Sequence, residues 1–249
     1  MPRFTPATQK VVDLLMVRSD RDRQRRIGPS ELGNPCARCL AERLLGLRPP
    51  DKDIALAPLI GTAMHALLEH RSGLLEVGKG ILTETKVNVG EVRGYGKVTG
   101  SCDRYDIEKH QVIDYKVVAK KKVKAYQSAV VATGSGEVFF DDDNPVSSTL
   151  KQYYTQLNLY GKGMVNAGEQ VKNVALLFIT RDASTEQLPQ GLTELVFKFN
   201  MEVADQALER ASNIYEWATS PGNSVDDIDS DTGCYYCRYR RGKEELDIF

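Results

Sequence analysis

The segment GSCDRYDIEKHQVIDYK, residues 100–116, decides the fold of this 249-residue chain. Two stretches rich in β-branched and aromatic residues flank a charged turn, which predicts two consecutive strands. Side chains alternate between the faces of a strand, so Asp114 and Lys116 share one face. Pairing of the two strands as a hairpin would bring Asp103 close to Asp114. Two carboxylates beside a lysine predict a site for a hard cation such as Mg²⁺, although a simple surface ion pair would also fit Asp114 and Lys116 alone.

The pattern on both sides of this hairpin predicts an α/β fold with a central mixed sheet flanked by helices. Short apolar stretches bounded by Gly or charged residues predict strands at residues 81–89, 96–100 with 102–107, 112–117, 173–180 and 193–199. Helical spacing predicts helices at residues 8–17, 40–45, 59–70, 123–131 and 203–218, together with a long helix that Ser148 or Thr149 caps and that ends at Ala167. Residues 134–145, with three consecutive aspartates, are expected to form an exposed loop.

The 33 basic and 34 acidic residues give a net charge of −1, so the overall charge does not predict a polyanionic partner. Basic residues nevertheless concentrate in three segments, 18–26, 120–124 and 238–241, which could contact phosphates or form solvated charged faces. No apolar run approaches the ~20 residues of a membrane-spanning helix. The first ten residues also lack the order of a secretion signal. A cytoplasmic location, in a bacterial, archaeal or phage-infected cell, is therefore expected.

Two further motifs accompany the hairpin. His65 lies on a predicted helix upstream of the strands, and Gln156 and Tyr160 lie four residues apart on one face of the long helix. In order and spacing, these residues together with Gly-x-x-Asp at 100–103 and Asp-x-Lys at 114–116 resemble the RecB-like branch of the PD-(D/E)XK nuclease superfamily. That branch includes the nuclease domains of RecB and AddB and the fourth family of CRISPR-associated proteins. The resemblance covers about residues 30–237.

This resemblance implies a restriction-endonuclease-like PD-(D/E)XK core and a Mg²⁺- or Mn²⁺-dependent deoxyribonuclease. It further implies the following metal ligands: His65, Asp103, Asp114 and the backbone carbonyl of Tyr115. Lys116 would be the catalytic lysine, and Gln156 and Tyr160 would contact DNA near the scissile phosphate. Glu84, on the first predicted strand, is either an additional ligand or a residue that faces the cleft.

Four of the five cysteines form two Cys-x-x-Cys pairs near opposite ends of the chain, Cys36 with Cys39 and Cys234 with Cys237. In a cytosolic protein such pairs favour metal binding over disulfides. The spacing favours zinc, whereas the resemblance implies a [4Fe-4S] cluster held by one N-terminal and three C-terminal cysteines. This chain departs from that pattern, because RYRRGK stands at 238–243 where the last cysteine would be. Cys39 would then serve as the fourth ligand, so the resemblance implies a [4Fe-4S] cluster held by these four cysteines, with Zn²⁺ as the alternative.

Either metal would join two peripheral segments, residues 30–48 and 219–249, of a single nuclease domain spanning 1–249, and would close a very long loop. The remaining cysteine, Cys102, is expected to pack as a small buried side chain.

Three functions remain open from the sequence. The first is an exonuclease that hydrolyses single-stranded DNA from its ends, with bases stacked on tyrosines that would otherwise pack internally. These tyrosines are Tyr153, Tyr154, Tyr235, Tyr236 and Tyr239. The second is a structure-specific or non-specific endonuclease of the same fold, and the third is a metal-stapled nucleic-acid-binding module without catalysis. The family resemblance suggests DNA recombination, repair, replication or CRISPR-adaptation proteins as partners.

Overall fold

The predicted hairpin forms the centre of a five-stranded mixed sheet in the computed structural model, which describes residues 5–17, 26–47, 56–132, 138–182, 189–231, 234 and 236–237. The strands of this sheet are β1 (Ile81–Val92), β2 (Gly96–Asp106), β3 (Gln111–Val118), β6 (Asn173–Thr180) and β7 (Leu192–Lys198). They lie in the order β1-β2-β3-β6-β7, and all neighbours are antiparallel except β3 and β6. A separate antiparallel pair consists of β4 (Val130–Ala132) and β5 (Val138–Phe140).

The described residues also form seven α-helices and one 3₁₀ helix. The α-helices are α1 (Pro6–Leu15), α2 (Pro29–Leu32), α3 (Ala37–Leu44), α4 (Leu56–Leu75), α5 (Lys120–Ser128), α6 (Ser147–Asn166) and α7 (Met201–Thr219), and the 3₁₀ helix is Val225–Asp227. Within the described part of the chain, no helix is both long and apolar enough to cross a membrane.

Helices α4 and α6 lie on opposite faces of β3. Lys116 of β3 contacts Gln156 of α6, whereas the neighbouring Tyr115 packs its ring against His65 of α4. Because successive side chains of a strand point to opposite faces, the two helices enclose the strand between them. The sheet can therefore receive functional side chains from both layers at one strand end.

The apolar core lies between the sheet and α6. Leu157 and Met164 of α6 and Phe178 of β6 are fully buried, and Tyr126 of α5 stacks on Phe178 with 5.0 Å between ring centroids. Burial of each such side chain contributes roughly 1.5–3 kcal/mol. By contrast, no residue of α4 is fully buried.

The region between β3 and α6 differs from the prediction. Helix α5 spans Lys120–Ser128 instead of 123–131, because the Asp182 carboxylate accepts a hydrogen bond from the Lys120 N–H and so satisfies the first turn. The β-branched residues Val130 and Val131, predicted as helix, instead form β4. Its partner β5 lies within the segment predicted to be a loop.

Helix boundaries also differ, most clearly those of α4 and α6. Val146 is the N-cap of α6, so neither Ser148 nor Thr149 has the predicted capping role. Helix α4 is longer than predicted at both ends. At its start, Pro58 is accommodated in the first turn, where a missing N–H removes no hydrogen bond. Of the predicted basic segments, residues 18–25 and 238–241 lie outside the described residues.

Candidate metal-binding cleft and cysteine cluster

Strands β2 and β3 separate at the predicted site. Their pairing runs from Asp106 opposite Gln111 to Arg104 opposite Ile113 and stops there. Beyond this last pair, the Tyr115 N–H of β3 donates to the side-chain oxygen Oδ2 of Asp103 at 2.9 Å instead of to a backbone carbonyl of β2. The buried Asp103 carboxylate thus satisfies a backbone group that the separation leaves unpaired.

His65 of α4 closes the opening between the two strands. Its Nε2 lies 3.1 Å from the carbonyl oxygen of Tyr115, and its Nδ1 lies 3.4 Å from Asp103 Oδ1 and 3.9 Å from Glu84 Oε1. Nδ1 is buried and has no hydrogen-bond partner among the described residues. One ligand atom each from His65, Glu84 and Asp103 lies within 4.8 Å of the others. A nitrogen and two carboxylate oxygens at this separation fit a divalent cation.

Glu84 adopts a backbone conformation that a strand residue rarely has. Its φ is +45°, in the left-handed region, and it is absent from the β1–β2 pairing although Thr83 and Thr85 on either side are paired. Such a conformation costs on the order of 1–3 kcal/mol and is concentrated at functional sites. The Glu84 carboxylate accepts a hydrogen bond from Ser101 Oγ at 2.7 Å, which helps to direct it towards His65.

Asp114 and Lys116 form a second group beside the first. Lys116 Nζ lies 2.7 Å from Asp114 Oδ2 and donates to Gln156 Oε1 at 3.1 Å. Gln156 Nε2 in turn donates to the Tyr160 hydroxyl at 3.4 Å. The same ammonium lies 4.8 Å from the centre of the Tyr153 ring, within the range of a cation–π contact. The lysine is therefore fixed by contacts with both β3 and α6.

The electrostatics of the two groups show an excess of buried negative charge. Asp103 and then Glu84 raise the pKa of His65 to about 10, against the opposing effect of burial. Burial raises the pKa of the fully enclosed Asp114 carboxyl, and the Lys116 ammonium only partly offsets this effect. The protonated His65 ring supplies positive charge to this site. A bound divalent cation would supply that charge instead, and His65 would release its proton when it becomes a ligand.

A cleft of about 500 Å³ gives access to both groups. His65, Asp103, Asp114 and Lys116 line it, and Lys122 and Arg181 are exposed cations on its wall. The basic segment 120–124 had indicated Lys122, whereas nothing local in the sequence indicated Arg181. That residue reaches the cleft because its N–H donates to Val118 O at the end of β3.

The tyrosines considered for base stacking have different surroundings. Tyr153 lines the cleft, but Tyr154 packs against Phe140 and Phe197 in the core. Tyr236 packs against the cysteine cluster. The other two, Tyr235 and Tyr239, lie outside the described residues.

The four cysteines predicted to share a metal come together from both ends of the chain. Their Sγ atoms lie within 4.8 Å of one another, and all except Cys234 are buried. Burial is the largest cause that raises the pKa of Cys237, to about 12, and also that of Cys39. Four thiolates enclosed in this way need a cation to offset their charge, so the donor set fits a metal. Cys102 is buried away from this cluster, in the main core, as predicted.

The sequence matches no family model and no curated protein. Among solved structures, an alkaline exonuclease from Laribacter hongkongensis is similar in fold, with a TM-score of 0.51 and 9% identity over 90% of this chain and 99% of that one. A phage-related exonuclease from Haemophilus somnus aligns over 86% of each chain, with 15% identity and a lower TM-score of 0.44. The sheet and this similarity in fold confirm the predicted fold class, a central mixed sheet flanked by helices.

Proposed function

We propose that this chain is a divalent-metal-dependent DNA exonuclease, related to the RecB-like branch of the PD-(D/E)XK superfamily. The observation that carries the proposal is the convergence of His65, Glu84 and Asp103 directly beside the Asp114–Lys116 pair, at the separated ends of β2 and β3. A structural ion pair would not need three further potential ligands or a strained strand residue beside it. The fold neighbour's activity as an alkaline exonuclease supports the same function.

The residues that would hold Mg²⁺ or Mn²⁺ are His65, Asp103, Asp114 and the Tyr115 carbonyl, with Glu84 as an additional ligand. The bound cation would polarise the scissile phosphate and lower the pKa of a bound water. Asp103 has a second task, because its other oxygen holds the Tyr115 N–H and so keeps the Tyr115 carbonyl in the site.

Lys116 would act on the negative charge that develops at the phosphate. Its ammonium is fixed between Asp114 and Gln156 before any substrate binds, so little reorganisation is needed during the reaction. Gln156 and Tyr160 would hold the lysine and contact the DNA backbone near the cleaved bond. Lys122 and Arg181 would neutralise phosphates along the approach to the cleft.

The decisive experiment compares Lys116→Ala and Asp114→Ala with the wild type on end-labelled single-stranded DNA, duplex DNA and covalently closed circles. Each reaction is run with Mg²⁺, with Mn²⁺ and with a chelator. Loss of one such group is expected to lower the cleavage rate by roughly 100- to 1000-fold. Lys198→Ala is the matched control, because Lys198 is exposed on β7 and does not line the cleft.

Each outcome separates the three functions. Metal-dependent degradation of linear DNA, with circles intact, supports the exonuclease. Efficient cutting of circles would establish the endonuclease instead, and DNA binding without cleavage under any metal would establish the binding module. Wild-type rates in both cleft variants would refute the assignment of the site.

The role of Glu84 has its own comparison. Glu84→Gln keeps the size of the side chain but removes its charge, so the Mg²⁺ concentration for half-maximal cleavage should rise. Glu91→Gln, an exposed change on the same strand, should leave that concentration unchanged. An unchanged metal requirement in Glu84→Gln would show that Glu84 only faces the cleft.

A further inference from the structure

We propose that the cysteine cluster binds a single Zn²⁺ ion, and that it does not hold the [4Fe-4S] cluster that the family resemblance implies. The separation of the sulfur atoms carries this proposal. Cys39 Sγ lies 3.5 Å from Cys234 Sγ and 3.6 Å from Cys237 Sγ, and Cys36 Sγ lies 3.7 Å from Cys237 Sγ. None of the four sulfur atoms is more than 4.8 Å from another.

These distances match one metal ion at the centre of a tetrahedron. With a Zn–S bond of about 2.3 Å, the edge of the tetrahedron is ~3.8 Å. In a four-iron cluster each thiolate binds a different iron on the outside of a cube, which separates the sulfur atoms by roughly 6 Å. The cluster would therefore have to widen by about 2 Å along its edges before it could hold four irons and four sulfides.

The backbone around the N-terminal pair resists such widening. Asn34 Oδ1 accepts from the Cys36 N–H at 2.9 Å and so holds the start of α3. Arg210 of α7 donates to the carbonyls of Asn34 and Pro35 at 2.7 Å each. This guanidinium is partly buried, so displacing it would leave three backbone or side-chain groups without their partners.

The segment before the C-terminal cysteine pair contacts helix α3. Arg38 of α3, between Cys36 and Cys39, donates from Nε to the carbonyl of Ile228 at 2.9 Å. The Cys234 N–H donates to the carbonyl of Asp231 at 3.0 Å. Both pairs are thus brought to the spacing of a mononuclear site by contacts that do not involve sulfur.

The test is the metal content of full-length protein purified without oxygen from cells supplied with both iron and zinc. The expected result is about one zinc per chain, no acid-labile sulfide, and none of the broad absorption near ~400 nm that thiolate-bound iron–sulfur clusters give. X-ray absorption at the zinc edge should show sulfur neighbours at about 2.3 Å. These measurements do not depend on nuclease activity, so they stand whether or not the proposed function is correct.

Variants locate the zinc. Cys237→Ser should lose most of the bound zinc, whereas Cys102→Ser, which changes a buried cysteine outside the cluster, should keep it. If Cys237→Ser does not fold, stepwise mercuration of the wild-type thiols should release the zinc as the cluster cysteines react. About four irons and four sulfides per chain would overturn the proposal. Zinc-free protein whose cluster thiols are all freely alkylated in the native state would overturn it as well.

Discussion

Gly100→Ala tests the close packing that positions the cleft. A Cβ at this position would lie 2.6 Å from Pro29 Cδ, 2.7 Å from Pro29 Cγ and 3.0 Å from Tyr160 Cε1. Carbon atoms in contact prefer about 3.5–4.0 Å, so the methyl group would overlap with Pro29 by ~1 Å. The backbone of Gly100 is outside the left-handed region, so alanine would suffer from these contacts alone. Glycine is thus needed in the Gly-x-x-Asp motif because Pro29 and Tyr160 occupy the space above it.

Overpacking of this kind costs about 1–3 kcal/mol. At ~2–4 °C per kcal/mol for a chain of this size, the melting temperature should fall by roughly 2–12 °C. Gly73→Ala is the matched control, because a Cβ there meets nothing within 4 Å and the residue lies inside α4. Removing a glycine from a helix interior should stabilise the protein by about 0.5–1 kcal/mol.

The free energies of unfolding are best measured by urea denaturation without added Mg²⁺ or Mn²⁺ and with the metal of the cysteine cluster retained, with the slope of the transition unchanged between variants. Gly100→Ala should also lower the cleavage rate, because Tyr160 holds Gln156 and Gln156 holds Lys116. A Gly100→Ala protein within ~0.5 kcal/mol of the wild type would refute the packing argument if Gly73→Ala gains stability as expected.

Two further predictions concern charge. Glu76 accepts both arms of the Arg104 guanidinium, at 2.7 and 2.8 Å, and this holds its pKa at about 2 instead of the usual 4.5. Because the pKa of Glu76 is lower in the folded protein, the stability that Glu76 adds is present above pH ~4.5 and is lost as the pH falls towards 2. The difference in unfolding free energy between the wild type and Glu76→Gln should therefore shrink below pH ~4.5. A difference that does not depend on pH would contradict this prediction. The second prediction uses Asp114→Ala protein, which should bind DNA without cleaving it. In this background, Lys122→Gln and Arg181→Gln should each reduce the slope of log K against log salt concentration by about 0.7–0.9, whereas Lys198→Gln should leave the slope unchanged. Equal slopes in all three variants would show that DNA does not contact the cleft through these residues.

Local periodicity in the sequence was enough to predict the main elements and their faces. The bounds of β6 were predicted correctly, and the alternation of residues 112–117 correctly placed Asp114 and Lys116 together. Hairpin pairing likewise brought Asp103 to the same strand end. These features follow from the alternating direction of side chains along a strand and from the pairing of strands that are adjacent in sequence. Both depend only on residues that lie close together in the chain.

The distances that define the sites came from the tertiary structure. His65 meets the Tyr115 carbonyl across 50 positions of sequence, and Asp182 fixes the start of α5 from 62 positions away. Likewise, the spacing of two Cys-x-x-Cys pairs left zinc and iron–sulfur open, and the separation of Sγ atoms some 200 residues apart carries the proposal of zinc. A sequence pattern specifies which residues share a face, but how closely two distant segments approach depends on how the whole core packs between them.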